Sequence, residues 1–229
     1  MVRVIAHRGA SAAAPENTVE AFRLAATLGA DWVELDVRRT ADGALAVHHD
    51  AHLQDGRAIV DLERSEVPAA VPDLATALDA CAGMDVNIEI KNWPEDPDYD
   101  PAAALVDGVV ELIQARDAVD HVLVSCFDVP TLDRVRALDP TIPTAVLCYP
   151  APGGAEEFVA AVAAGGHRAL HPWDLVVDAA LVESAHRHGL DVNVWTVNDA
   201  DRMRALIALG VDGICTDVPD MARAVLEAT

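Results

Sequence analysis

Glu34-Leu35-Asp36 and Asn87-Ile88-Glu89-Ile90-Lys91 put acids at alternate positions of two strand-like runs, so Glu34 and Asp36 share one face, as do Glu89 and Lys91. The intervening residues are apolar and must pack under other elements, which turns the charged set inward. Three inward carboxylates are hard to justify without a cation, and an oxygen-only donor set suits one Mg²⁺, Ca²⁺ or Mn²⁺ ion rather than zinc. The competing reading is a buried ion pair in which Lys91 neutralises one acid, but one lysine does not balance three carboxylates. His7 ends the run Val4-Ile5-Ala6, and His49 follows Ala46-Val47-His48. Either alone reads as a core histidine; two of them flanking a carboxylate cluster point to an acid–base pair. Arg8 and Lys91 supply the local positive charge that a phosphate needs, with Arg8 also suited to pairing with Glu16 or Asp217.

The elements that must position these groups alternate strand and helix along the whole chain. Strands are expected over about 2–7, 32–37, 44–49, 85–91, 121–127, 143–149, 168–171, 191–197 and 213–217. Helices are expected over 17–28, 74–81, from about 101 to 116, and over 129–138, 155–165, 178–188, 199–209 and at the C-terminus, with a further short helix after residue 50. Asn17-Thr18-Val19-Glu20 reads as a capping box, with Ala21, Leu24, Ala25 and Leu28 as the buried stripe and Gly29 closing the helix. Arg38 to Gly43 is too short for a helical crossover, and Asp42-Gly43 marks a tight turn. This alternation in 229 residues predicts one domain over 1–229, an α/β TIM (β/α)8 barrel. Nine strand-like runs compete for eight places, so one is peripheral.

Phe127 and Trp195 are inward by alternation near strand ends, where they fill the core or wall an alcohol or glycerol pocket. His48 points to the opposite face, and His121, His167, His186 and His188 read as surface residues. His171, before Pro172, suits the cleft and the core equally. The acidic run Asp96 to Asp100 lacks the glycine and terminal glutamate of a calcium loop and reads as a solvated rim. The four cysteines have no Cys-x-x-Cys spacing and read as reduced, small apolar residues. A formal charge of −22 disfavours nucleic acid and anionic lipid surfaces. No apolar run is long enough to span a membrane, and Met1-Val2-Arg3 enters a strand without a leader pattern. These observations predict a cytoplasmic protein without stable membrane association.

His7-Arg8-Gly9, Pro15-Glu16-Asn17-Thr18, Gly29-Ala30-Asp31, Glu34-Leu35-Asp36-Val37, Asp42-Gly43, His49-Asp50, Asn87 to Lys91, Val194 to Asn198 and Gly210 to Gly213, in this order, resemble the glycerophosphodiester phosphodiesterases of the phospholipase-C-like TIM-barrel group. The resemblance implies a divalent cation on Glu34, Asp36 and Glu89, His7 and His49 as acid and base, and Arg8 and Lys91 on the phosphate. It implies a glycerophosphodiester substrate, cleaved to sn-glycerol 3-phosphate and an alcohol through attack by the substrate's own glycerol hydroxyl and a cyclic phosphate. Two alternatives stay open: a lysophospholipase D-type phosphodiesterase, and a non-catalytic phosphoester-binding barrel. Asp50 to Arg57 is short and lacks the family's Asp-Arg-Thr stretch, so the insertion after strand three is expected to be reduced and the cleft more open. Ser125-Cys126-Phe127 replaces the family's Ser-Ser-Phe, a mild change at an outward position.

Overall fold

The computed structural model describes residues 2–149 and 155–228. The elements run β1 (Arg3–His7), α1 (Val19–Thr27), β2 (Trp32–Arg39), β3 (Leu45–Val47), α2 (Leu74–Ala80), β4 (Asp85–Ile90), α3 (Leu105–Ala115), β5 (Val122–Cys126) and α4 (Val129–Leu138). They continue with β6 (Thr144–Cys148), α5 (Ala155–Ala164), β7 (Ala169–Pro172), α6 (Ala179–Arg187), β8 (Asp191–Val194), α7 (Ala200–Leu209), β9 (Gly213–Thr216) and α8 (Pro219–Glu227).

Eight strands pair in parallel in the order β1-β9-β8-β7-β6-β5-β4-β2, and a β1–β2 pairing closes the ring. The (β/α)8 barrel expected from the alternation is therefore present. The peripheral run is β3, which pairs antiparallel with β2 alone (Val37 opposite Val47, Arg39 opposite Leu45). β2 pairs with β4 only as far as Val37, so its end projects past the barrel, turns at Gly43 (φ +82°) and folds back as β3. His49 thus does not end a barrel strand as expected. It lies two residues beyond a hairpin arm that brings the chain down beside Asp36, where the His48 N–H donates to the Asp36 carbonyl at 3.0 Å.

The core lies between strands and helices. Val33, Leu35, Val37, Ile88 and Ile90 pack outward against Phe22, Ala25, Val106 and Val109. A smaller cluster of Ala46, Leu53, Ile59, Leu62 and Val67 stabilises the segment after β3, whose expected short helix is instead two single 3₁₀ turns at Ile59–Asp61 and Arg64–Glu66. The cap of α1 also differs from expectation. Thr18 is the N-cap, its Oγ1 accepting from Ala21 N–H, which releases Asn17 for another role; the buried stripe is Ala21, Phe22 and Ala25, with Leu24 and Leu28 only partly covered. His167 is buried rather than surface-exposed, with Nδ1 2.9 Å from Thr144 Oγ1. Cys126 faces outward from the barrel, as expected, and is buried in the core under the helices.

Candidate active site

Register brings the acids together: Asp36 lies beside Glu89 across the β2–β4 pair, and Glu34 one step deeper beside Asn87. Each of Glu34, Asp36 and Glu89 contributes an oxygen to a group lying within 4.8 Å of one another. Glu34 and Asp36 are 3% and 1% exposed, and Glu34 Oε1 has no hydrogen-bond partner. Burial and the charges of Asp36 and Glu89 push the Glu34 carboxyl up to about 8. Burial opposes ionisation of Asp36 too, but Lys91, His49, Arg8 and an Asn17 hydrogen bond outweigh it and hold Asp36 near about 2. One acid that ionises reluctantly, with an orphaned buried oxygen beside two more carboxylates, is a donor set that fits a divalent cation.

The ion pair of the competing reading exists as well. Lys91 Nζ lies 2.8 Å from Glu89 and 3.6 Å from Asp36, and Arg8 Nε lies 3.4 Å from Asp36. Arg8 is tied to Glu16 at 3.0 Å and not to Asp217. Its backbone is left-handed (φ +57°), and its N–H donates to Glu34 Oε2 at 2.9 Å. A non-glycine residue there costs roughly 1–3 kcal/mol. The turn depends on Gly9 (φ +82°), where an added Cβ would sit 2.7 Å from Ala21 backbone. Asn17, also left-handed (φ +56°), donates to Asp36 Oδ2 at 2.8 Å and accepts from Asp36 N–H at 3.2 Å, fixing that carboxylate.

Both histidines are anchored through Nδ1, leaving Nε2 for a ligand. His7 Nδ1 lies 2.7 Å from Asp217 Oδ1, which also accepts from Ser11 Oγ at 2.9 Å, while Asn198 Nδ2 donates to Oδ2 at 2.5 Å. Burial would lower the His7 pKa, but the Asp217 hydrogen bond and the Glu34 charge outweigh it and raise it. His49 Nδ1 lies 2.7 Å from Asp50. His48 turns to the Asp50 carbonyl at 2.9 Å.

The acidic run expected to be a solvated rim has a structural partner. Arg38, third after Glu34 and Asp36 on one face of β2, donates from Nη1 to both Asp98 oxygens at 2.6 and 2.8 Å and from Nη2 to Asp96 at 3.1 Å. Its Nε–H donates to the His49 carbonyl at 2.8 Å. The loop carrying Asp96 and Asp98 also carries Trp93, whose ring lies 4.3 Å from Phe127. Phe127, Tyr149 and Trp195 form one wall of the cavity, with centroid separations of 5.3, 5.4 and 5.7 Å. His171 lines its floor: burial and Arg3 hold it near about 3, so it stays neutral and accepts from Asn193 Nδ2 at 2.9 Å.

All nine candidate residues therefore converge on this end of the barrel, Phe127 and Trp195 just past their strand ends. Asp217, Asn17, Arg38, Tyr149 and Trp93 complete it and were not anticipated. For Asp217 the signal was present, since Gly213 to Asp217 is another apolar run ending in an acid.

Comparison with known proteins gives the family. The chain is 32% identical to a glycerophosphodiester phosphodiesterase of Caldanaerobacter subterraneus subsp. tengcongensis over 95% of this chain and 94% of that protein. The crystal structure of glycerophosphodiester phosphodiesterase from Thermotoga maritima superposes with a TM-score of 0.83 at 28% identity, covering 99% and 98% of the two chains. An Oleispira antarctica phosphodiesterase, solved in complex with the product sn-glycerol-3-phosphate, superposes with a TM-score of 0.86 at 26% identity over 98% and 96%. The model of the glycerophosphoryl diester phosphodiesterase family matches residues 7–221, and this chain belongs to that family.

Proposed function

We propose that this phosphodiesterase hydrolyses water-soluble glycerophosphodiesters to sn-glycerol 3-phosphate and an alcohol, with one divalent cation on Glu34, Asp36 and Glu89 and with His7 and His49 moving the protons. The observation that carries the reading is the convergence of three carboxylates, two of them buried, with two histidines that line the same cavity and are each anchored through Nδ1. A bound cation supplies Lewis-acid polarisation of a non-bridging phosphoryl oxygen. Arg8 and Lys91 neutralise charge on the phosphate, and the Glu16 and Glu89 contacts hold their side chains in place. Asp217 keeps the His7 proton on Nδ1, so Nε2 can take the proton of the attacking glycerol hydroxyl as its oxygen bonds to phosphorus. His49 Nε2 gives a proton to the departing alcohol oxygen as the other P–O bond breaks. Water then opens the cyclic phosphate with the two histidines in exchanged roles. The four unpaired cysteines favour a reducing, cytoplasmic setting for this chemistry.

The test is a coupled assay for glycerol 3-phosphate released from glycerophosphocholine and glycerophosphoethanolamine. It uses chelator-stripped protein, then protein given Mg²⁺, Ca²⁺ or Mn²⁺. Turnover is expected only after the metal is restored. Below about pH 8 metal uptake should release protons, because Glu34 must ionise to coordinate, so apparent metal affinity should climb with pH up to that value. Full turnover in excess chelator would remove the cation from the scheme. Cleavage of bis-p-nitrophenyl phosphate without release of glycerol 3-phosphate would discard the substrate.

A further inference from the structure

Arg38 is a buried cation whose side chain divides between one acidic loop and one backbone carbonyl. Nη1 donates to both Asp98 oxygens, Nη2 donates to Asp96, and Nε–H donates to the His49 carbonyl. A buried guanidinium must keep its counter-charge, so the place of the two acids decides the place of the guanidinium. The Asp98 side chain is 7% exposed and that of Asp96 28%. The loop that carries them is fastened at its ends without Arg38. Asn92, itself buried, donates from Nδ2 to the Asp100 carbonyl at 3.0 Å and to Thr131 Oγ1 at 2.9 Å, and its Oδ1 accepts from Asp100 N–H at 2.9 Å. The Asp100 carboxylate in turn accepts from the N–H groups of Ala102 and Ala104. The acids are thus a fixed template to which Arg38 conforms.

His49 stands outside the ring of parallel strands, and the side chain of its Nδ1 partner Asp50 is largely solvated. A general acid works only within hydrogen-bond reach of the oxygen it protonates, and a small displacement costs much of the rate. We infer that Asp98, with Asp96 beside it, is a positioning residue for His49, holding the His49 backbone through Arg38 so that the imidazole meets the departing alcohol oxygen. That role rests on the acid assignment of His49 proposed above. Asp98 takes the larger share, because both its oxygens bind Nη1 and it is the more deeply buried. Without its charge the guanidinium is drawn towards Asp96, to the solvent side and off the His49 carbonyl.

The experiment compares wild type, Asp98→Asn, Asp96→Asn and His49→Ala on two diesters of sn-glycerol 3-phosphate, one with choline and one with p-nitrophenol as the alcohol. Choline must be protonated as it leaves, whereas p-nitrophenolate departs without a proton. The readout is kcat/KM for release of each alcohol, which ends at that departure and leaves out the opening of the cyclic phosphate. Asp98→Asn should lower the value for the choline diester about tenfold and that for the p-nitrophenyl diester by about twofold at most. Asp96→Asn, at the more exposed position, should show the same selectivity at a few-fold. A loss of folded protein cancels in the ratio of the two substrates. In an Arg38→Lys background, Asp98→Asn should add about twofold at most, because the route through Arg38 is already broken. An unchanged ratio in Asp98→Asn, or a full further tenfold loss in the double variant, would overturn the assignment. His49→Ala tells this failure from that of the reading beneath it: an equal loss on both diesters there would remove His49 as the acid, and Asp98 would have no acid to position.

Discussion

His7 and His49 have the same partner at the same distance and are held in different ways. Each has Nδ1 2.7 Å from an aspartate. His7 closes a barrel strand, and its Asp217 is half-buried and fixed by Ser11 and Asn198. His49 follows a hairpin arm outside the ring, and its Asp50 side chain is 76% exposed. The buried pair changes both groups: Asp217, despite the opposing effect of burial, is pulled down to about 2 by His7, and His7 is raised. A solvated pair contributes little by comparison. Where His7 is fixed by its side-chain partner, His49 is fixed through its backbone, by Arg38 on its carbonyl. One imidazole is held by a half-buried carboxylate that is itself fixed on both oxygens, and the other is placed through its backbone.

The comparison can be broken most directly by His7→Ala and His49→Ala. Each should cut kcat/KM by roughly 10²–10⁴-fold, with the melting temperature little changed for His49→Ala and lowered for His7→Ala, which removes the partner that depresses Asp217; an active His49→Ala would end the two-histidine scheme. Asp217→Asn should follow, with a loss of roughly a hundredfold. Removing that charge lowers the His7 pKa, so the acidic limb of the kcat/KM profile should move to lower pH. The linked stability has a definite sign. A carboxyl depressed to about 2 contributes stability above the ordinary carboxylate range and loses it as pH falls through that value, so the gap in melting temperature between wild type and Asp217→Asn should close in acid. Arg38→Lys keeps a charge near Asp98 but cannot fork to two aspartates while also reaching the His49 carbonyl. It should cost about tenfold in kcat, with faster amide exchange in the Trp93 loop. Asp50→Asn is the mildest, a few-fold; an effect equal to that of Asp217→Asn would erase the distinction.

The groups proposed to do the chemistry were legible because they violate what a buried strand requires. Glu34, Asp36, Glu89 and Lys91 stand at alternate positions among β-branched residues, and alternation alone turns them inward. The ring was legible from the same alternation of strands and helices. What escaped was information carried by partners distant in sequence. Asn17 has the appearance of a helix cap, and only its placement against β2 shows that it serves Asp36. The Asp96 to Asp100 run looks solvated until Arg38, some sixty residues earlier, is seen beneath it. β3 could not be told from a barrel strand by composition, because a short hairpin arm and a short parallel strand bury side chains in the same pattern.

That β3 is not a stave of the barrel has an evolutionary consequence. Closure of the ring is complete without it, so the hairpin and the residues behind it, with their own small core, can lengthen, shorten or be replaced while Glu34, Asp36, Glu89 and His7 keep their places. The segment from His48 to Val71 carries the proposed proton donor, His49. On the proposed roles, a graft of this one cassette between relatives would carry His49 with it and leave the carboxylate cluster and His7 in place.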